Sequence, residues 1–104
     1  MKINGRTALI TGASSGIGRA VAMELARAGC HLRLVGRDAT RLAEVAARTG
    51  GEAIVADLGT PDGLDDAASA ARDVDVLVNN AGLGWAGPLA EMPTERLAQL
   101  VEVN

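Results

Sequence analysis

The tightest constraint on this 104-residue chain is the segment Thr11-Gly12-Ala13-Ser14-Ser15-Gly16-Ile17-Gly18, where three glycines join an apolar run to a helical pattern. Upstream, Thr7-Ala8-Leu9-Ile10 has the continuous apolarity of a short buried strand. Downstream, Ile17, Ala20, Val21, Leu25 and Ala28 recur at helical spacing. A strand that turns directly into a helix reconciles the two. Gly12 permits a turn that a side chain would forbid, Gly16 lets an anion approach the backbone, and Gly18 lets the helix press against its strand. The first helical amides and the positive end of the helix dipole then face that anion, which gives the segment the form of a seat for a pyrophosphate.

The rest of the chain repeats the alternation of apolar runs and helical patterns, as expected of a parallel sheet with helices on its faces. Gly29 stops the first helix, and His31 to Val35 reads as a second strand. Asp38 is placed to cap a helix carrying Leu42, Val45 and Ala46, which Gly50-Gly51 ends. Ala53 to Ala56 reads as a third strand, followed by a helix with Thr60 as cap and Pro61 in its first turn. Val74 to Val78 is a fourth strand, and Asn79-Asn80-Ala81-Gly82 lies at its carboxyl end. From Thr94 onward, Leu97, Leu100 and Val101 fall on one helical face, and no stop signal closes the pattern before Asn104. The expected architecture is a Rossmann-type α/β fold of about four parallel strands in the order 3-2-1-4. Its glycine loop, Gly36-Arg37, Asp57 and Asn80 then converge at the carboxyl edge of the sheet, where ligands bind in such folds.

Composition narrows the partners. Hydrophobic residues make up 48% of the chain without any Phe or Tyr and with Trp85 alone, so the core must be built from Ala, Val, Leu and Ile. The net charge is −3 and the arginines are scattered, which argues against nucleic acid. Cys30 is the only cysteine, so an internal disulfide is ruled out. It reads as a small buried hydrophobe, and His31 as a surface residue. No His, Cys or carboxylate cluster has metal-ligand spacing. No signal peptide and no apolar run of ~18 residues is visible, so a cytoplasmic setting without membrane contact is expected. The only lysine is Lys2, so the Gly-Lys-Ser/Thr ending of a triphosphate-binding loop is missing.

About 20 residues beyond a glycine loop of this kind, the end of the second strand reaches the adenosine ribose. Here it carries Gly36-Arg37-Asp38. A carboxylate there suits ribose hydroxyls, whereas a guanidinium suits a ribose 2′-phosphate through charge-assisted, bidentate contact. Arg37 therefore points to NADP, with NAD the less favoured cofactor, and Asp38 is assigned to helix capping.

The Gly-x-x-x-Gly-x-Gly spacing resembles the cofactor loop of the short-chain dehydrogenase/reductase family, and Asn79-Asn80-Ala81-Gly82 resembles that family's Asn-Asn-Ala-Gly motif. The resemblance runs along the whole chain and covers less than half of the family's usual catalytic domain. It implies that Gly12, Ser14, Ser15, Gly16, Ile17 and Gly18 hold the cofactor's phosphates. It further implies that Asp57 and the amide of Leu58 hold the adenine edge, and that Asn80, Ala81 and Gly82 line the cofactor. Ser15 stands where similar NADP enzymes often carry a basic residue. The family's chemistry uses Asn, Ser, Tyr and Lys, and among these only Asn104 resembles a catalytic counterpart. The chain has no tyrosine, Lys2 precedes the first strand, and Ser14, Ser15 and Ser69 belong to the loop and a helix.

Residues 1–104 thus read as the partial dinucleotide-binding domain of an oxidoreductase that moves a hydride between a nicotinamide dinucleotide and a carbonyl or alcohol, inactive alone. The fourth strand would then keep an exposed edge, from which homo-oligomer formation through that strand or the last helix is expected. Trp85 is assigned to packing or to such a surface. Two alternatives stay open: a non-catalytic nucleotide-binding or interaction module complete at this length, and a methyltransferase, in which an acid would more often stand at Gly36-Arg37.

Overall fold

The computed structural model describes residues 3–80 and the strand Val101–Val103. Ala81, Gly82, Trp85, Asn104, Lys2 and the segment 94–100 lie outside the described residues.

The chain alternates as expected: β1 (Thr7–Thr11), α1 (Gly16–Arg27), β2 (His31–Gly36), α2 (Ala39–Thr49), β3 (Glu52–Val55), α3 (Pro61–Ala70) and β4 (Val76–Asn79), followed by β5 (Val101–Val103). The sheet order is β3-β2-β1-β4-β5. The first four strands run parallel in the order 3-2-1-4. β5 lies antiparallel on β4, pairing Val76 with Val103 and Val78 with Val101.

That last pairing corrects two expectations. Val101 belongs to a strand rather than to a helical face, and the edge of β4 expected to be bare is hydrogen-bonded to β5. The start of β4 also moves from Val74 to Val76. The reason is Asp75, whose backbone N–H donates to the Thr7 carbonyl (2.8 Å) while its Oδ2 accepts from the Thr7 amide (2.9 Å). These bonds fix the register one residue ahead of the strand, and Val74 turns into the core beneath α3.

Strand alternation divides the core between the two faces of the sheet. Ala8, Ile10, Leu32, Leu34, Val76 and Val78 face one side, where they pack with Ala22 of α1 and with Leu42 and Val45 of α2. Leu9, Val35 and Val74 face the other, with Ala67 of α3. On that second face Arg33 reaches over to donate from Nη1 to the Ala70 carbonyl (2.7 Å), satisfying a carbonyl at the end of α3 that the helix itself leaves open.

The caps follow the sequence. Asp38 Oδ1 accepts from the Arg41 amide, and Thr60 Oγ1 from the Gly63 amide, with Pro61 in the first turn of α3. Gly50 ends α2 in the left-handed conformation, at φ 72°.

Cys30 is buried, and its thiol donates to the Ile3 carbonyl (3.3 Å). Burial, and secondarily the charge of Asp75, push this thiol above its ordinary value of 9.0. The native chain therefore keeps a proton that the unfolded chain releases, so this contribution to stability declines as pH rises past 9. At pH 8, iodoacetamide is expected to label Cys30 slowly in the native chain and rapidly in urea, as read by mass spectrometry. Equal rates would contradict the buried placement.

Candidate functional site

Parallel register brings the candidate residues to one edge. Thr11 lies opposite Val35 on one side and Asn79 on the other, and Gly36 lies opposite Val55. The residues that follow each strand, Gly12, Arg37, Ala56-Asp57 and Asn80, must therefore emerge together at the carboxyl end of the sheet. They line a cleft of about 860 Å³. It opens beside the crevice between β1 and β4, where the order of connection reverses: β2 and β3 extend the sheet to one side of β1, and β4 returns on the other.

The floor is the β1-to-α1 turn. Gly12 has φ 63°, the left-handed conformation that favours glycine. A Cβ on Gly18 would collide with the Gly12 carbonyl oxygen and stand 2.8 Å from Asn80 Nδ2, whereas a Cβ on Gly16 would meet nothing within 4 Å. The two glycines thus serve different ends. Gly18 is required by packing inside the protein, and Gly16 leaves open space over the helix start. Gly36 answers to a third contact, since a Cβ there would come within 3.0 Å of Ser14 Oγ.

The start of α1 is left uncapped. Ser15 holds the N-cap position but makes no side-chain capping bond. Its hydroxyl instead donates back to the Gly12 carbonyl (2.8 Å). Arg19 is the first residue whose amide is satisfied in the helical manner, by the Ser15 carbonyl. The amides of Gly16 and Ile17 have no hydrogen-bond partner among the described residues, and the positive end of the helix dipole lies with them.

Asn80 ties this turn to β4. Its side-chain Nδ2 donates to the Gly12 carbonyl (3.2 Å) and to Ser15 Oγ (3.4 Å), while its backbone N–H donates to Thr11 Oγ1 (3.0 Å). Its Oδ1 is buried and has no partner among the described residues. Thr11 Oγ1 also contacts the Val78 carbonyl (3.4 Å) and Asn79 Oδ1 (3.1 Å). On the far side of the cleft, Asp57 Oδ1 accepts from the Gly59 amide (2.8 Å), which makes the turn that presents Leu58.

The structure therefore brings together Gly12, Ser14, Ser15, Arg37, Asp57, Leu58 and Asn80 on one cleft. Gly16 borders a smaller adjoining hollow, Ile17 packs against the core, and Gly18 lies beneath Gly12. Ala81, Gly82 and Asn104 lie outside the described residues. Two contributors escape a reading of the sequence. Thr11 is one, although a lone polar residue ending an apolar strand is a signal for it. Arg41 also lines the cleft, and its place three residues after the Asp38 cap, in the first turn of α2, is the clue to that. Among the described residues no group of His, Cys, Asp or Glu could hold a metal ion, and no helix is long and apolar enough to cross a membrane.

Four parallel strands in the order 3-2-1-4, flanked by helices and with a glycine turn and an uncapped helix end where the order of connection reverses, define a Rossmann-type fold. Residues 6–104 match the short chain dehydrogenase family. The chain belongs to the short-chain dehydrogenase/reductase family. It is 42% identical, over 100% of its own length and 42% of the relative's, to 1-deoxy-11-beta-hydroxypentalenate dehydrogenase of Streptomyces exfoliatus. It is 36% identical to the rhamnolipids biosynthesis 3-oxoacyl-[acyl-carrier-protein] reductase of Pseudomonas aeruginosa, covering 96% of this chain and 42% of that protein. Among solved structures it is similar to L-sorbose reductase from Gluconobacter frateurii complexed with NADPH and L-sorbose, with a TM-score of 0.67 at 36% identity, covering 92% of this chain and 41% of that one. The chain spans less than half the length of these relatives.

Two substitutions separate packing from access. Gly18→Ala is expected to destabilise the chain by about 2 kcal/mol through overpacking, and Gly16→Ala to leave urea unfolding nearly unchanged. Thr11→Val removes the acceptor of the buried Asn80 amide and is expected to cost about 1–3 kcal/mol in the same measurement.

Proposed function

We propose that these residues form the NADP(H)-binding part of a short-chain oxidoreductase that transfers a hydride between the nicotinamide and a carbonyl or alcohol. The observation that carries this reading is the uncapped start of α1. Its first amides have no partner among the described residues, and open space lies over Gly16. Such an end offers N–H donors and positive potential to a pyrophosphate. The residues present thus fit the cofactor. Ser14, Ser15, Gly16 and Ile17 would take its phosphates, with Gly12 and Gly18 shaping the turn. Asp57 and Leu58 would take the adenine, and Asn80, Ala81 and Gly82 would line the cofactor's ribose.

Arg37 supports NADP over NAD. It lines the cleft and makes no hydrogen bond or ion pair with the described residues, while the neighbouring carboxylate of Asp38 is committed to the cap of α2. When bound, the cofactor supplies the hydride, and the protein supplies orientation and the proton. Asn104 is the candidate here for ordering a proton-relay water. A tyrosine general acid needs a nearby cation to work near neutral pH, and the chain contains no tyrosine. The 104 residues are therefore proposed to bind cofactor without turning over substrate. Self-association belongs to the same proposal, through surfaces other than the β4 edge that β5 covers, as does a cytoplasmic setting.

The test is calorimetric titration with NADPH and NADH. NADPH is expected to bind more tightly, and Arg37→Asp to weaken NADPH by at least tenfold (about 1.4 kcal/mol) while changing NADH little. Equal losses for the two cofactors would refute the assignment of Arg37.

A further inference from the structure

We propose that Arg41 is a second specificity-determining residue, which joins Arg37 and Ser14 in holding the cofactor's ribose phosphoryl group. This inference rests on the NADP reading above and adds a residue to it.

Arg41 lines the cofactor cleft together with Ser14, Gly36, Arg37 and Asp38, and it also lines the adjoining hollow with Ser14, Ser15 and Arg19. It therefore stands on the ridge between the two, at the same corner as Arg37. Its Nε faces Asp38 Oδ2 at 3.6 Å, and the two Nη groups have no partner among the described residues. The pair is open to water, with 72% of the Arg41 side chain and 50% of the Asp38 side chain exposed. An exposed pair of this kind holds its partners weakly, so an arriving dianion can draw the guanidinium away from the carboxylate.

Asp38 stays engaged when the guanidinium moves, because its Oδ1 accepts from the Arg41 amide. Its charge is thus directed into the first turn of α2 and not toward the ribose. Ser14 completes the corner. Ser15 Oγ is tied to Gly12 and Asn80, whereas Ser14 Oγ has no partner among the described residues and sits close over Gly36. Two guanidiniums, one free hydroxyl and a glycine that leaves room suit a phosphate monoester, which offers three acceptor oxygens.

The probes are adenosine 2′,5′-bisphosphate and adenosine 5′-phosphate, which differ only in the group at issue. Binding to the 104-residue chain is followed by amide shifts in NMR at up to millimolar ligand. The unaltered chain is expected to prefer the bisphosphate, and both Arg37→Ala and Arg41→Gln to reduce that preference by about tenfold each, with the 5′-phosphate bound as before. Arg41→Glu is expected to abolish it. The capping bond uses the backbone amide of Arg41, so these variants should unfold at the temperature of the parent chain. If Arg37→Ala loses the preference while both Arg41 variants keep it, the role of Arg41 is overturned and the NADP reading stands. If the unaltered chain shows no preference, or binds neither probe, the NADP reading fails and this inference with it.

Discussion

The Gly12 carbonyl is the atom on which the arrangement turns. It receives Asn80 Nδ2 from just beyond β4 and Ser15 Oγ from its own loop, and it lies so close to Gly18 that no Cβ fits between them. A carbonyl held from both sides cannot rotate into the cleft. The turn is therefore fixed with its oxygen toward the protein. The Ala13 and Ser15 amides are spent inside it, on the carbonyls of Val35 and Gly12, and those of Gly16 and Ile17 are left without a partner among the described residues. Were Ser15 to cap α1 in the usual way, its hydroxyl would accept from the Ile17 or Gly18 amide. The loop thus gives up an ordinary helix cap, and it recovers the hydroxyl's bonding inside the turn.

The sheet brings the remaining groups to this point without any special local geometry. Because β1, β2, β3 and β4 are parallel and nearly flush at their carboxyl ends, whatever follows each strand reaches the same edge. The chemistry of the corner is then a matter of which residues follow. Arg37 and the Asp38 cap follow β2, the Asp57 turn follows β3, and Asn80 follows β4. The small aliphatic core serves the same end, since Ala22, Ala67 and the valines let helices lie close on both faces.

Much of this was legible in the chain because the signals were local. The strand-to-helix turn at Gly12, the caps at Asp38 and Thr60 and the helix stop at Gly50 each depend on residues within one turn of themselves, and each is found as read. The end of the chain was not legible for a related reason. Leu97, Leu100 and Val101 satisfy a helical period, yet Val101-Glu102-Val103 alone satisfies the alternation of a strand equally well. Three residues cannot separate the two periods, and β-branched valines favour the extended form. Pairing with β4, which lies more than 20 positions earlier, settles the matter. Arg41 escaped for a different reason: its place on the cleft depends on where α2 begins relative to the edge of the sheet, which only the assembled fold establishes.

The strand order also carries a consequence for how the molecule forms. β1 meets β2 through partners 24 positions apart, as in Thr7 and His31, but it meets β4 through partners 68 apart, as in Ala8 and Val76. Closing the longer loop costs about 0.9 kcal/mol more in chain entropy, and every bond that Asn80 makes to the glycine turn spans that distance. The first two strands and their helices can therefore assemble from nearby contacts while the turn is still without its latch. The fixed form of the glycine turn would thus emerge late in folding, with the arrival of β4.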